Sequence, residues 1–346
     1  MITSCWTISV LKRALATLVA GSLLAGCGDS RMPELELSGP VMGTSYSVKL
    51  VNPSNDFNRD QLGDLIIQRL EDIEQRFSTY RPSSELSLAN KTLTTDWIPV
   101  SRELCEVIES SIGMSRRTNG AFDITVGPLV LLWGFGPDGN RAAPPVDELL
   151  AEARGSVGYE KLSTDCSMPA IRKALPDVYL DLSAIVKGFA VDETASILDA
   201  AAMDDYLVEI GGELCARGRN ANEEPWAIAI EKPDVASRSV QTIVSVTDRC
   251  MATSGDYRNF FTYDGIRYSH TVDPATGRPV THSTASVTVM ARSAAEADGL
   301  ATGLLVRGAE DGLAFANIAG IDAYFLVRKD GEFEQVMSGN FEDLLK

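Results

Sequence analysis

The sequence predicts an α+β protein built largely from antiparallel strands. Three observations carry that prediction. Short β-rich runs crowd the second half and follow one another, with helices interspersed rather than alternating one for one. Two Asp-Gly pairs, Asp264-Gly265 and Asp330-Gly331, each lie between two such runs, a strong hairpin signal. No G-x-G-x-x-G follows a predicted strand and no GxxxxGK[ST] loop is present, so parallel nucleotide-binding folds are unsupported.

In chain order, residues 44–51 (TSYSVKLV) alternate and read as a strand. Asn58 followed by Gln61 is a capping-box start. Leu62, Leu65, Ile66, Leu70, Ile73 and Phe77 then recur at helical spacing, and the helix stops before Arg81-Pro82. A second amphipathic helix spans about residues 102–117, with Leu104, Val107, Ile108 and Ile112 on one face and Asn119-Gly120 as its stop. Residues 137–147, rich in Pro, Gly and Asp, are a loop. Residues 178–182 read as a strand passing into a helix over 183–198. Strands follow at 206–210, 213–217, 226–230, 240–246 and 285–289. Ser293 with Glu296 opens a helix to about Val306, and Asp330-Gly331 joins two closing strands.

The chain has 346 residues, 45% of them hydrophobic, enough for a sizeable core. With 48 acidic against 31 basic residues the formal net charge is −17, which argues against nucleic acid as a partner and against electrostatic docking on anionic lipid. Lys12 and Arg13 precede an apolar run over residues 14–26, shorter than the ~20 residues a spanning helix needs, and this reads as a secretory signal. Its end, Leu24-Ala25-Gly26-Cys27, resembles the lipobox of bacterial lipoproteins, in which the Cys becomes the lipidated first residue. The expected organisation is a signal peptide over 1–26, a polar tether over 27–38 and one two-lobed domain over 39–346. The expected location is outside the cytoplasm, on a membrane through lipid at Cys27, where several acyl chains hold firmly and one is marginal. Cys105, Cys166, Cys215 and Cys250 allow three disulfide pairings, and free buried thiols fit equally well.

Several segments suit chemistry. Asp181 to Gly188 takes a strand into a helix, whose free N–H groups and positive dipole end attract anions; Lys187 adds a full charge, and Gly188 would admit a ligand closely. Asp298 and Thr302 stand i, i+4 on one helix, an oxygen pair suited to a hard cation such as Mg²⁺. Only His270 and His282 offer imidazoles; His270 sits among polar residues, whereas His282 reads as surface. Gly211-Gly212, between Glu209 and Glu213, reads as a tight turn.

VMGTSY, FSTYRPSSELSLAN, GAFDITVGPLVLLWGF, DLSAIVKGFAVD, YLVEIGGE, ATSGDYRNF, YSHTVDPATGRPV and AEADGLATGLL occur in that order over nearly the whole chain after residue 39. Together they resemble the ApbE family of FAD:protein FMN transferases. The resemblance implies an α+β fold related to tunnelling-fold domains, with mixed sheets, packed helices and two lobes around a central cleft. It implies an enzyme that splits FAD with Mg²⁺, places FMN on a Thr or Ser hydroxyl of an acceptor protein and releases AMP. By motif position, Met42, Tyr80, Ala121, Phe122, Asp123, Asp181, Lys187 and His270 would contact FAD. Asp298, Thr302 and backbone oxygens of Ala184 and Ala301 would hold the metal. His270 is the expected general base, with Asp273 or Asp298 as the other candidates. The acceptors implied are proteins with a Thr flavinylation motif, such as subunits of membrane redox complexes facing the periplasm. Two other activities fit the same segments: hydrolysis of FAD to FMN and AMP, or simple flavin binding by a lipoprotein.

Overall fold

Leu35 and Leu37 alternate with Glu34 and Glu36, and this pattern folds as the first strand, β1 (Glu34–Val41), paired with β2 (Thr44–Val51). The computed structural model describes residues 31–346 except 54–57, 138, 140–142 and 235–238, so the signal segment and Cys27 lie outside the described residues. The expected tether therefore gives way to strand at Glu34, before residue 38. Pro40 is tolerated because β1 is an edge strand.

The chain continues through α1 (Arg59–Phe77), α2 (Glu85–Lys91), β3 (Trp97–Pro99), α3 (Arg102–Arg117), α4 (Gly127–Leu132), α5 (Asp147–Gly155), β4 (Leu162–Asp165) and β5 (Ala170–Lys173). Then come α6 (Val186–Ala200), β6 (Tyr206–Ile210), β7 (Glu213–Arg217), β8 (Trp226–Glu231), β9 (Val240–Val246) and β10 (Arg249–Gly255). The last part holds β11 (Phe260–Tyr263), β12 (Ile266–Ser269), β13 (Val272–Asp273), β14 (Arg278–Pro279), β15 (Thr284–Ala291), α7 (Ala294–Ala319), β16 (Asp322–Lys329) and β17 (Glu332–Ser338). The local signals fold as expected. Asn58 accepts the Gln61 N–H at the start of α1, and Ser293 accepts the Glu296 N–H at the start of α7. Asp264-Gly265 and Asp330-Gly331 turn the β11–β12 and β16–β17 hairpins with positive φ at all four residues. Leu65, on the expected apolar face of α1, is half exposed instead.

The main sheet has eight strands in the order β1-β2-β6-β7-β10-β15-β16-β17. Every strand pair among the described residues is antiparallel, so the sheets are not mixed. Side chains alternate between two cores. Val208, Cys215, Cys250, Val289 and Phe325 face the helices α1, α6 and α7. Leu214, Met251, Met290, Tyr324 and Leu326 face the β8–β9 hairpin and Phe341. β15 is buried at every position because both faces are covered. A satellite core of Leu129, Trp133, Leu150, Val157 and Val272 underlies the β11–β12 hairpin.

Residues 178–182 do not form a strand. Asn90 takes the place of a neighbouring strand: its amide donates to the Leu180 carbonyl (2.9 Å) and its oxygen accepts the Leu180 N–H (2.8 Å). The helix after them starts at Val186 rather than Ser183, so Lys187 is the second helical residue. α7 runs past Val306, but Gly308 breaks it with φ 75° and ψ 171°. The cysteines form Cys105–Cys166 and Cys215–Cys250, the latter between register partners of β7 and β10. Each closes a loop long enough to stabilise the fold by about 4 kcal/mol on the chain-entropy model.

Candidate active site

A cleft of about 1150 Å³ opens between the main sheet with its helices and the satellite core. Its walls bring together Met42, Tyr80, Ala121, Phe122, Asp123, Asp181, Ala184, Lys187, His270, Asp298 and Thr302, which are spread from one end of the sequence to the other. Ala301 does not line it; α7 turns that residue fully into the core. Asp273 does not line it either, and its carboxylate accepts the Ala275 N–H within a turn.

The floor is built where α6 and α7 meet. Gly188 lies against the backbone of α7, where a Cβ would stand 2.3 Å from the Ala294 carbonyl oxygen. The glycine therefore admits a helix rather than a ligand. The two helix starts cap each other. Gly188 N–H donates to Asp298 Oδ2 (3.2 Å), while Ala294 and Ala295 N–H donate to the two carboxylate oxygens of Asp192 (2.7 and 2.9 Å). Because Gly188 N–H turns to Asp298, no backbone N–H among the described residues donates to the Ala184 carbonyl.

Lys187 reaches from α6 to Glu213 at the start of β7, Nζ to Oε1 2.5 Å. Glu213 and Asp298 are both buried. Burial raises Asp298 above the usual carboxylate range, opposed by Lys187, and lifts Glu213 to about 7. The two carboxylates keep Lys187 protonated, above its ordinary value, in spite of burial. Thr302, one turn beyond Asp298, shares a hydrogen bond with Ser254 Oγ (3.0 Å). The Asp298 carboxylate, the Thr302 hydroxyl and the Ala184 backbone belong to residues that line this cleft, and carboxylate, hydroxyl and carbonyl oxygens are hard ligands of the kind Mg²⁺ takes.

The other walls differ. Met42 takes φ 47° in the two-residue turn between β1 and β2, a conformation rare outside glycine, and this turn sets it at the cleft. Phe122 lines the cleft but is almost wholly buried. Asp123 is raised by burial, and its oxygens hold local backbone: Oδ1 accepts from Thr125 and Oδ2 from Tyr159 N–H. Asp181 likewise accepts from Ser183 N–H and Oγ. Tyr80 is 63% exposed at the mouth.

His270 follows the β11–β12 hairpin. Its Nδ1 lies 3.1 Å from the Asn259 carbonyl. A carbonyl only accepts, so Nδ1 carries the proton and Nε2 is the basic nitrogen. Burial lowers its pKa below the ordinary imidazole value, keeping it neutral at pH 7. Phe135 meets the ring edge-on, within an aromatic cluster of Trp133, Phe261 and Tyr268.

Glu213 and Ser254 were not among the expected site residues. Both lie in quoted motifs, YLVEIGGE and ATSGDYRNF, and an acidic residue beside a Gly-Gly turn is the only local signal for Glu213.

Comparison with known proteins agrees with this geometry. The sequence profile of the ApbE family matches residues 42–325. A protein of Vibrio cholerae named FAD:protein FMN transferase is 43% identical over 97% of this chain and 99% of its own length. One of the same name from Haemophilus influenzae is 38% identical over 96% and 99%. The structure of the flavin transferase ApbE from Vibrio cholerae superposes with a TM-score of 0.84, at 42% identity over 91% of this chain and all of that one. The apo flavinyl transferase ApbE of Pseudomonas stutzeri gives 0.83, at 38% identity over 91% and 97%. With its motifs in order, its fold matched and its cleft assembled from those motifs, the chain belongs to the ApbE family.

Proposed function

We propose that this protein transfers FMN from FAD to a Thr or Ser hydroxyl of an acceptor protein and releases AMP, with Mg²⁺ as cofactor. The observation that carries this reading is that Asp298, Thr302, Ala184, Lys187 and His270 line one cleft, with Asp298 tied to the start of the helix that carries Lys187. Asp298, Thr302 and the Ala184 carbonyl would hold the cation, which supplies charge neutralisation on the diphosphate. Lys187 binds the diphosphate from the helix start, so both the ammonium and the α6 dipole oppose its negative charge.

The acceptor hydroxyl is a weak nucleophile at neutral pH and needs a base. His270 Nε2 takes its proton. The hydroxyl oxygen bonds to the phosphorus of the FMN half, the bond from that phosphorus to the bridging oxygen breaks, and AMP departs with that oxygen. The Asn259 carbonyl keeps the imidazole in the right tautomer throughout. Cys27 and the leader, outside the described residues, support lipid anchorage with the domain facing the periplasm. That location suits acceptors among membrane redox complexes.

The test mixes the purified protein, FAD, Mg²⁺ and a Thr-bearing acceptor peptide. Flavin attached to the peptide, seen by mass, is the expected result. Free FMN with unmodified peptide would make the protein a hydrolase, and intact FAD a binding protein.

A further inference from the structure

The Glu209-Ile210-Gly211-Gly212-Glu213 turn does more than reverse the chain. Gly211 has φ +64°, and a Cβ there would stand 2.9 Å from Thr44 Cγ2 and 3.3 Å from Lys187 Cδ. The bare turn thus packs along the lysine stem. Gly212 N–H donates to Glu209 Oε1 (2.6 Å), which fixes the turn and leaves Glu209 on the cleft wall. Glu213 then meets Lys187 with one oxygen. Its other oxygen, Oε2, is buried, has no hydrogen-bond partner, and belongs to a residue lining the cleft. A buried carboxylate oxygen left unpaired costs stability, so a structural role alone explains it poorly.

Charge counting gives it a purpose. The bare floor sets one cation, Lys187, against two buried carboxylates, Glu213 and Asp298, with Glu209 nearby. With these carboxylates ionised the sum is negative and repels a diphosphate. A divalent cation on Asp298 adds two positive charges and removes that repulsion. We propose that Glu213 is a positioning residue that pins the Lys187 ammonium in the cleft and sets the bare floor negative, so that the dinucleotide's diphosphate and its divalent cation bind with positive coupling. This deepens the flavin-transfer reading and rests on it.

The test measures FAD affinity by flavin fluorescence, without acceptor, in chelator and in Mg²⁺. The full-length protein is compared with its Glu213→Gln variant, at about one pH unit above the value near 7 at which Glu213 titrates. In the parent, Mg²⁺ tightens FAD by about tenfold or more, within the usual range for coupled sites. In Glu213→Gln, FAD binds more tightly than the parent in chelator, and the effect of Mg²⁺ shrinks to about threefold or less. A merely structural glutamate predicts the opposite in chelator. Weaker FAD binding in the variant with coupling intact would overturn the assignment. If Glu213→Gln does not fold, Glu213→Asp takes its place: keeping the charge, it must keep the coupling, and loss of coupling there overturns the proposal too. Failure of the parent to bind FAD in either condition would instead sink the flavin reading itself.

Discussion

The floor and the rim of the cleft are built in opposite ways. Lys187, Glu213, Asp298 and Thr302 stand on α6, β7 and α7, elements that also carry the main core. His270 stands just beyond a two-stranded hairpin whose tip is exposed; its ring meets Phe135, and Tyr268 of the hairpin stacks on Trp133. The floor's two carboxylates, Glu213 and Asp298, are locked into the protein interior, where a fixed field is worth most. In the proposed reaction the proton falls instead to His270, which stands on no element of the main sheet.

The comparison can be broken at several points. If Asp298 holds the cation as proposed, Asp298→Ala lowers flavin transfer by about a thousandfold, the upper range for losing one preorganised electrostatic group. Attached flavin measured over time checks it, and a small effect would move the cation elsewhere. His270→Asn lowers turnover by about a hundredfold while FAD stays bound. The parent's rate falls as pH drops through the His270 pKa, which burial holds below 6.5; the variant lacks that limb. An Asn variant that transfers FMN at the parent's rate would take the proton away from the rim.

Trp133→Ala sharpens the contrast. The indole stacks beneath Tyr268, and its Nε1 donates to the Gly277 carbonyl (2.8 Å). Its loss lowers turnover by about tenfold and destabilises the satellite core by about 3 kcal/mol. FAD affinity changes little, because Trp133 does not line the cleft, and a joint measurement of thermal melting and FAD binding separates the two. The smallest effect is expected from Ser254→Ala. Thr302 loses its hydroxyl partner, and the Mg²⁺ concentration for half-maximal rate rises by about threefold, the low side of outer-shell effects on metal sites.

What the sequence made legible was local. Asn58 with Gln61, Ser293 with Glu296 and the two Asp-Gly turns specify their structure within four residues, and each folded as read. The motif residues could be read as a set, since each lies in a short recognisable string. What stayed hidden depended on distant partners. Residues 178–182 look like a strand until Asn90 takes their hydrogen bonds. Glu213 looks like part of a turn until Lys187 arrives from another element. α2, α4 and α5 are too short for an apolar period to show. β1 begins inside the polar stretch read as a tether, and its Pro40 is tolerated only because the strand lies at the sheet edge.

The mutual capping of α6 and α7 has a consequence for how this protein is made. Gly188 and Asp298 are 110 residues apart in the chain, and Asp192 and Ala294 are 102. Ser293 caps α7 locally, but the Gly188 N–H of α6 and the Ala294 and Ala295 N–H groups of α7 find their carboxylates only across that distance, so these bonds wait for most of the polypeptide to emerge. Long-range closures of this kind come late in folding. A nascent or truncated chain would hold much of its secondary structure before it could grip a nucleotide, so competence arrives with the last stretch of synthesis.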